Sequence, residues 1–95
     1  MSLARVVEFE GVTKARLEEM KQEMEGGGGP PEGVPVKELI VLHDADAEKA
    51  VVVLFFDNEE DYQQGDEALS AMPAEETPGR RASVKKYGVV VRQSV

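Results

Sequence analysis

The stretch from Lys37 to Phe56, KELIVLHDADAEKAVVVLFF, constrains the fold more than any other part of the chain. It contains two apolar runs on either side of a short charged turn, and such a pattern predicts an antiparallel hairpin. Neither run alternates cleanly between apolar and polar residues. Because a strand with apolar side chains on both faces must be buried on both, the sequence predicts a sheet that is covered on both sides.

The rest of the chain predicts two more strands and a first helix. β-Branched and aromatic residues favour strands, and the four predicted strands cover residues 4–12, 36–43, 50–56 and 82–92. Thr13 is typical of a helix N-cap. After it, Leu17, Met20 and Met24 recur at the spacing of one helical face. This helix is expected to stop at Gly26.

A second helix is predicted to begin after Asp57 or Asn58, either of which can cap it, and to end before Pro73. Its apolar face comprises Tyr62, Gly65, Leu69 and Met72. Glycine costs about 1 kcal/mol relative to alanine in a helix interior. Gly65 therefore indicates either a close approach of the helix to the sheet or simple tolerance. The stretches 26–35 and 74–81 predict surface loops.

The predicted order of elements is β-α-β-β-α-β. Right-handed crossovers place the first and third strands in the centre of the sheet and both helices on one face. We therefore expect an α+β, ferredoxin-like fold with a four-stranded antiparallel sheet, formed by residues 1–95 as a single domain. The uncharged third strand suits the centre, and Lys37, Lys85 and Lys86 suit the two edge strands.

The second face of this sheet is predicted to be covered by another copy of the chain. The third strand carries Val51, Val53 and Phe55 on one side and Val52, Leu54 and Phe56 on the other. Two helices cover only one side, and the other would be a larger apolar patch than a soluble monomer normally exposes. Because closed two-fold dimers are the commonest oligomers, we expect a homodimer in which two sheets pack face to face as a barrel.

Composition limits the possible partners. The 95 residues carry a net charge of −8, which argues against a nucleic-acid binder because phosphates are held by clustered Lys and Arg. The chain has no cysteine, so it has neither disulfides nor thiolate metal sites. No apolar run approaches the ~20 residues of a membrane span, and the N-terminus lacks the layout of a signal peptide. We therefore expect a cytoplasmic protein that does not associate with membranes.

The charges are distributed unevenly. All 19 acidic residues lie at or before Glu76, which gives −13 for residues 1–76 and +5 for the remainder. One interpretation is that basic residues of the fourth strand face Glu8 and Glu10 of the first, since opposite charges stabilise a strand pair. The other is that Arg80 and Arg81 bind an anionic or carboxylate ligand, for which arginine offers bidentate geometry.

The segments VLHD…VVVLFFDNEEDY and TPGRRASVKKYGVVVR, together with the order of elements, resemble the dimeric α/β-barrel superfamily. It includes antibiotic-biosynthesis monooxygenase-like and stress-responsive barrel proteins, and the resemblance spans nearly the whole chain. It implies a cleft between the sheet and the helices of each protomer that can hold a small organic molecule. Some members oxidise polyphenols without cofactors and others degrade haem with an Asn, a Trp and a His. This chain has no Trp, so haem degradation is not expected, and the remaining resemblance implies an activity without a cofactor.

Two residues are candidates for catalysis. His43 can act as a general base or orient a bound phenol; alternatively, it ends the second strand with one ring nitrogen bonded to the turn. The Tyr87 hydroxyl can position a ligand in an apolar pocket; alternatively, Tyr87 only packs. Whether the two share a pocket is left open, because their strands lie at opposite edges of the predicted sheet.

The turn HDADAEK has oxygen-bearing side chains at Asp44, Asp46 and Glu48. Calcium loops need more ligands and a defined glycine, so a solvated turn is predicted and no metal is expected. Three functions follow from these observations. The first is a cofactor-independent, monooxygenase-like enzyme that acts on a small aromatic or conjugated molecule. The second is a non-catalytic ligand-binding or stress-related dimer, and the third is an interaction module that uses the acidic surface.

Overall fold

The computed structural model describes residues 2–28, 34–72 and 77–94. The strands are β1 (Leu3–Glu10), β2 (Glu38–Asp44), β3 (Lys49–Phe56) and β4 (Arg80–Gly88), and the helices are α1 (Lys14–Glu23) and α2 (Glu59–Ser70). This order confirms the predicted β-α-β-β-α-β arrangement. Pro73 and parts of the two predicted surface loops lie outside the described residues.

The four strands form one antiparallel sheet in the order β2-β3-β1-β4. As predicted, β1 and β3 occupy the centre. Directly opposed residues project to the same face, so the register defines two faces. The helix face comprises Leu3, Arg5, Val7, Phe9, Leu39, Val41, His43, Ala50, Val52, Leu54, Phe56, Arg81, Val84 and Lys86. The open face comprises Ala4, Val6, Glu8, Glu10, Glu38, Ile40, Leu42, Asp44, Lys49, Val51, Val53, Phe55, Arg80, Ser83, Lys85 and Tyr87.

The core lies between the helices and the helix face. One cluster lies beneath α2 and comprises Leu3, Val34, Leu54, Phe56, Tyr62 and Leu69. A second cluster comprises Val7, Phe9, Val12 and Ala50, and α1 contacts it through Leu17. Both helices therefore cover the same side of the sheet, as the fold requires. Among the described residues, no helix has the length and apolar character needed to cross a membrane.

Helix α2 approaches the sheet closely at Gly65. A Cβ placed at Gly65 would lie 2.5 Å from Phe56 Cε1 and 2.6 Å from Phe56 Cζ. The Tyr62 ring packs with its edge against Phe56, with ring centroids 5.5 Å apart. Asn58 caps the helix, since its Oδ1 accepts a hydrogen bond from the Asp61 amide at 2.8 Å. Of the two interpretations of Gly65, the close approach is confirmed.

Helix α1 packs much less tightly than its apolar spacing suggests. Thr13 caps it as predicted, with its hydroxyl accepting from the Arg16 amide at 3.1 Å. All of α1 lies in the described part of the chain, and none of its residues is buried. Leu17 and Met20 are only half-buried. The helix then continues into a π-helical turn, Met24–Gly28, past the expected end.

The fourth strand is shorter than predicted at its C-terminal end. It was expected to run to Arg92, but β4 ends at Gly88. Gly88 pairs with Leu3, the first residue of β1. Beyond it, within the described residues, the Ser2 carbonyl accepts from the Val89 amide at 3.0 Å. Strand β4 therefore ends where its partner ends, although the valines that follow favour extended structure.

We expect Gly65→Ala to destabilise the protein by about 1–3 kcal/mol, because the added methyl overlaps the Phe56 ring and forces α2 away from the sheet. Chemical denaturation measures the change in the free energy of unfolding. Gly26→Ala is the matched control, because no atom lies within 4 Å of a Cβ placed there. Equal stabilities of the two variants would contradict the close approach.

Candidate functional site

A cavity of about 330 Å³ lies at the end of the sheet where the β2–β3 hairpin turns. It is lined by Glu8, Phe9, Glu10, Leu42, His43, Asp44, Lys49, Ala50, Val51 and Ala82. Most of these residues belong to the open face, so the cavity opens there. Leu42 and Val51 oppose each other across the strand pair and form an apolar floor. Because strand residues alternate, Phe9, His43 and Ala50 project to the other face and border the cavity through their backbone.

The rim of the cavity is charged. Its carboxylates belong to Glu8, Glu10 and Asp44, and Lys49 is the lining cation. Glu10 accepts from Arg80 Nη2 at 2.9 Å. Glu8 accepts from the Ser83 hydroxyl at 3.0 Å, a neutral partner that leaves the carboxylate charge in place. The cavity therefore combines an apolar floor with a rim that carries an excess of negative charge.

A β-bulge shapes this end of the sheet. Glu8 pairs with Ser83 and Phe9 pairs with Arg81, so Ala82 has no partner on β1. A bulge adds local twist and redirects the following side chains. It places the small side chain of Ala82 at the wall of the cavity.

His43 lies beside the cavity, but its ring projects to the helix face of the sheet. It pairs with the buried Ala50 on the helix face. Its Nε2 lies 3.1 Å from the Val12 carbonyl oxygen, which can only accept, so Nε2 carries the proton and donates. Nδ1 is then the nitrogen available for proton transfer. One ring nitrogen is therefore bonded, as the alternative interpretation predicts, but its partner is Val12, which precedes the Thr13 cap, and not the β2–β3 turn.

Tyr87 lies far from His43. It opposes Ala4 on the open face and is 50% exposed. His43 belongs to the helix face, at the hairpin end of the opposite edge strand. A single chain therefore does not bring the two candidate catalytic residues together.

Arg80 and Arg81 also project to opposite faces. Arg80 pairs with Glu10, as the strand-pair interpretation predicts. Arg81 Nη2 donates to the Leu69 carbonyl at 3.1 Å, at the end of α2. Its Nε is buried and has no hydrogen-bond partner within the described part of the chain. The two arginines do not form a joint anion site, and a ligand-binding role for either stays a prediction.

The other basic residues near the C-terminus pair differently from what was expected. Lys86 contacts Glu59 at the start of α2, and Arg92 contacts Glu38 on β2. Glu8 is bonded to a serine rather than to a base. Ion pairs between these basic residues and acidic residues therefore account for much of the charge asymmetry. Among the acidic partners, Glu10 is the one that β1 supplies.

Sequence reasoning missed Arg5, the one charged side chain that is buried among the described residues. Its Nε donates to Asp66 Oδ1 at 2.8 Å, and its Nη2 lies 3.4 Å from the Ser70 hydroxyl. The sequence contains a signal for its burial: Arg5 stands between Leu3 and Val7 on the same face of an apolar strand. Its pairing with α2 shows a structural role for this charge.

The acidic β2–β3 turn is closed by a hydrogen bond between one of its acidic side chains and its backbone. Asp44 Oδ1 accepts from the Ala47 amide at 3.1 Å, and Glu48 adopts a left-handed conformation with φ of 53°. Within residues 2–28, 34–72 and 77–94, no three His, Asp or Glu side chains are grouped to hold a metal ion.

Comparisons with protein-family models, with curated proteins and with solved structures gave no match. We therefore infer function from the cavity and from the open face around it. The cavity offers an apolar floor, a charged rim and a position on an apolar surface, a combination suited to binding.

Ionisation of Tyr62 provides a test of how α2 packs on the sheet. Burial raises the pKa of the Tyr62 hydroxyl, and the Asp66 carboxylate raises it further, against a smaller opposite effect of Arg5. Unfolded tyrosine loses its proton near pH 10, whereas the folded protein keeps it to higher pH. The folded state then binds more protons, so the free energy of unfolding falls as pH rises above about 10.

We expect Tyr62→Phe to lose part of this decline, because phenylalanine cannot ionise. Urea denaturation of both proteins at about pH 9 and about pH 11 measures the difference. A decline of the same size in both proteins would show that Tyr62 is not responsible for it.

Proposed function

We propose that this protein is a homodimer of the dimeric α/β-barrel type that binds a small, largely apolar organic molecule, aromatic or conjugated, between its two sheets. The observation that carries the proposal is the position of the cavity, which opens on an apolar face that the described part of the chain leaves largely uncovered. The resemblance to the superfamily, seen in the hairpin-to-helix segment and in the fourth strand, supports the dimer and a small organic ligand. It implies a cleft between sheet and helices, whereas this cavity lies on the open face.

The open face supports the dimer. Ile40 is 37% exposed and Leu42 is 56% exposed. They continue an apolar surface formed by Val51, Val53 and Phe55 of β3, each of which is only half-buried. An apolar surface of this extent favours association, and face-to-face packing of two sheets buries it in a core about 10 Å thick.

The cavity supports a small ligand. Its volume of about 330 Å³ falls at the lower end of the range for small-molecule sites. The floor of Leu42 and Val51 suits an apolar body, and the rim supplies hydrogen-bond acceptors. A second sheet over the open face would exclude water from the mouth, which strengthens polar contacts with a ligand.

Binding is favoured over catalysis by the geometry of the candidate catalytic residues. His43 uses Nε2 to hold Val12, and its ring projects away from the open face. Tyr87 lies at the other end of the sheet. The cofactor-independent, monooxygenase-like enzyme is therefore the second function. It would require Nδ1 of His43 to take a proton from a substrate that reaches the helix face.

We expect the wild-type protein to have a mass of 20.8 kDa in solution, twice the 10.4 kDa of one chain. Leu42→Asp should shift the mass to that of one chain at low micromolar concentration, because it buries a carboxylate in the interface. Light scattering across a dilution series measures both masses.

Val84→Asp is the control for this substitution. Val84 is also partly exposed, at 39%, but it projects from the helix face of β4. It should leave the dimer intact. A wild-type protein with the mass of one chain at every concentration would contradict the dimer, and dissociation of both variants would show that the open face is not specifically involved.

His43→Ala separates the two functions. We expect a loss of about 1 kcal/mol in the free energy of unfolding, because the Val12 carbonyl loses its partner. Saturable binding of a neutral aromatic probe, N-phenyl-1-naphthylamine, followed by its fluorescence, should be unchanged. Loss of probe binding at unchanged stability would instead favour a direct role of the imidazole at the ligand.

A further inference from the structure

The C-terminal tail, residues 89–94, leaves the sheet after Gly88, and its residues 89–92 run over the open face towards β2 instead of extending β4. The Val89 amide donates to Ser2 beside β1. The Arg92 guanidinium lies 4.2 Å from the centroid of the Phe55 ring on β3, and it pairs with Glu38 on β2. Four extended residues span about 13 Å, close to the three strand spacings, about 14 Å, that separate β4 from β2. The tail therefore runs across the sheet at the end opposite the cavity.

The tail forms an apolar ridge on that face. Val90 is 90% exposed and Val91 is 74% exposed, although Arg92 holds the tail to the sheet through the Phe55 ring and Glu38. Two valines left in water contribute no burial energy to a single chain, whereas covering them with a partner would stabilise the complex. Their exposure indicates a surface that a partner covers.

The ridge restricts how a second sheet can pack. Facing sheets lie about 10 Å apart, a distance filled by side chains from both. A backbone lying on one face occupies that layer, so the facing sheet must offer a depression where the ridge meets it. The cavity at the hairpin end is such a depression, and Leu42 and Val51 give it an apolar floor.

We propose that the tail of each protomer packs over the cavity of its partner, so that Val90 and Val91 form the second apolar wall of a site that one chain leaves incomplete. This inference rests on the proposed homodimer. It requires a two-fold axis perpendicular to the strands, which carries the tail end of one sheet onto the cavity end of the other. An axis along the strands would place ridge against ridge and hold the sheets apart.

The charges favour the same orientation. Residues 89–94 contain one basic side chain, Arg92, and no acidic one. The cavity rim contains the carboxylates of Glu8, Glu10 and Asp44. Arg92 is already paired with Glu38, so the charges act chiefly against the opposite orientation, which would place two rims with excess negative charge against each other.

Disulfide trapping tests the arrangement directly, because the chain has no cysteine of its own. Val91→Cys and Leu42→Cys are prepared as separate, differently tagged chains, mixed and oxidised. Leu42 lies four residues along β2 from Glu38, about 13 Å at the rise of a strand. In the Leu42→Cys/Val91→Cys double variant, a bond within one chain would keep the oxidised protein at the mass of one chain under denaturing conditions, whereas a bond between two copies doubles that mass.

We expect the mixed chains to give a covalent heterodimer and the double variant to give a covalent homodimer with two bonds. Val51→Cys, on the neighbouring strand, should also trap Val91→Cys. The control pair is Val91→Cys with Val84→Cys, which projects from the helix face and should not be trapped. In the unmodified background, Val91→Ser should weaken binding of N-phenyl-1-naphthylamine at least fivefold at concentrations where the dimer persists, whereas Val84→Ser should not.

The alternative outcomes are distinct. Trapping of Val91→Cys with itself, and not with Leu42→Cys or Val51→Cys, would establish a tail-to-tail dimer and overturn the inference while leaving the homodimer intact. A mass of 20.8 kDa, twice that of one chain, with no trapping at either cavity position would also overturn the inference and leave the homodimer intact. A mass of one chain at every concentration would overturn both the inference and the proposed function.

Discussion

The structure depends on one constraint, which is that the central strand β3 is apolar on both of its faces. Ala50, Leu54 and Phe56 are buried on the helix face, where two helices are enough to cover them. The residues between them project to a face that the described part of the chain covers only at one end, where the tail crosses. A sheet of this kind is stable as a two-layer structure on one side and incomplete on the other, and that asymmetry determines where a ligand or a partner can lie.

Much of the fold could be predicted from the sequence, because it depends on short-range signals. Thr13 and Asn58 cap the helices, the spacing of Tyr62 and Leu69 marks the buried side of α2, and the charged turn closes the hairpin. The end of β4 could not be predicted in the same way. Three consecutive valines favour a strand, but a strand also needs a neighbour, and β1 has already begun at Leu3. The length of the adjacent strand therefore overrode the local preference of the valines for a strand.

The site was less predictable than the fold, for a reason that strand geometry makes clear. Residue type alone identified His43 and Tyr87 as candidates. The register of all three strand pairs determines on which face and at which end of the sheet each one lies. The β1–β4 pair contains a bulge, which the amino-acid composition does not predict. The cavity itself is formed largely by Leu42, Val51 and the acidic residues around them, whose chemistry is ordinary and whose position alone makes them a site.

The weak attachment of α1 has a consequence for dynamics. The helix meets the sheet chiefly through Leu17, and it has no buried residue among those that the structure describes. Segments with few buried contacts open locally at a small fraction of the global free energy of unfolding. Amide hydrogens of α1 should therefore exchange with solvent through such openings, well before those of β1 and β3. Each opening exposes Val7, Phe9 and Val12, so the same event gives proteases and other chains brief access to half of the core.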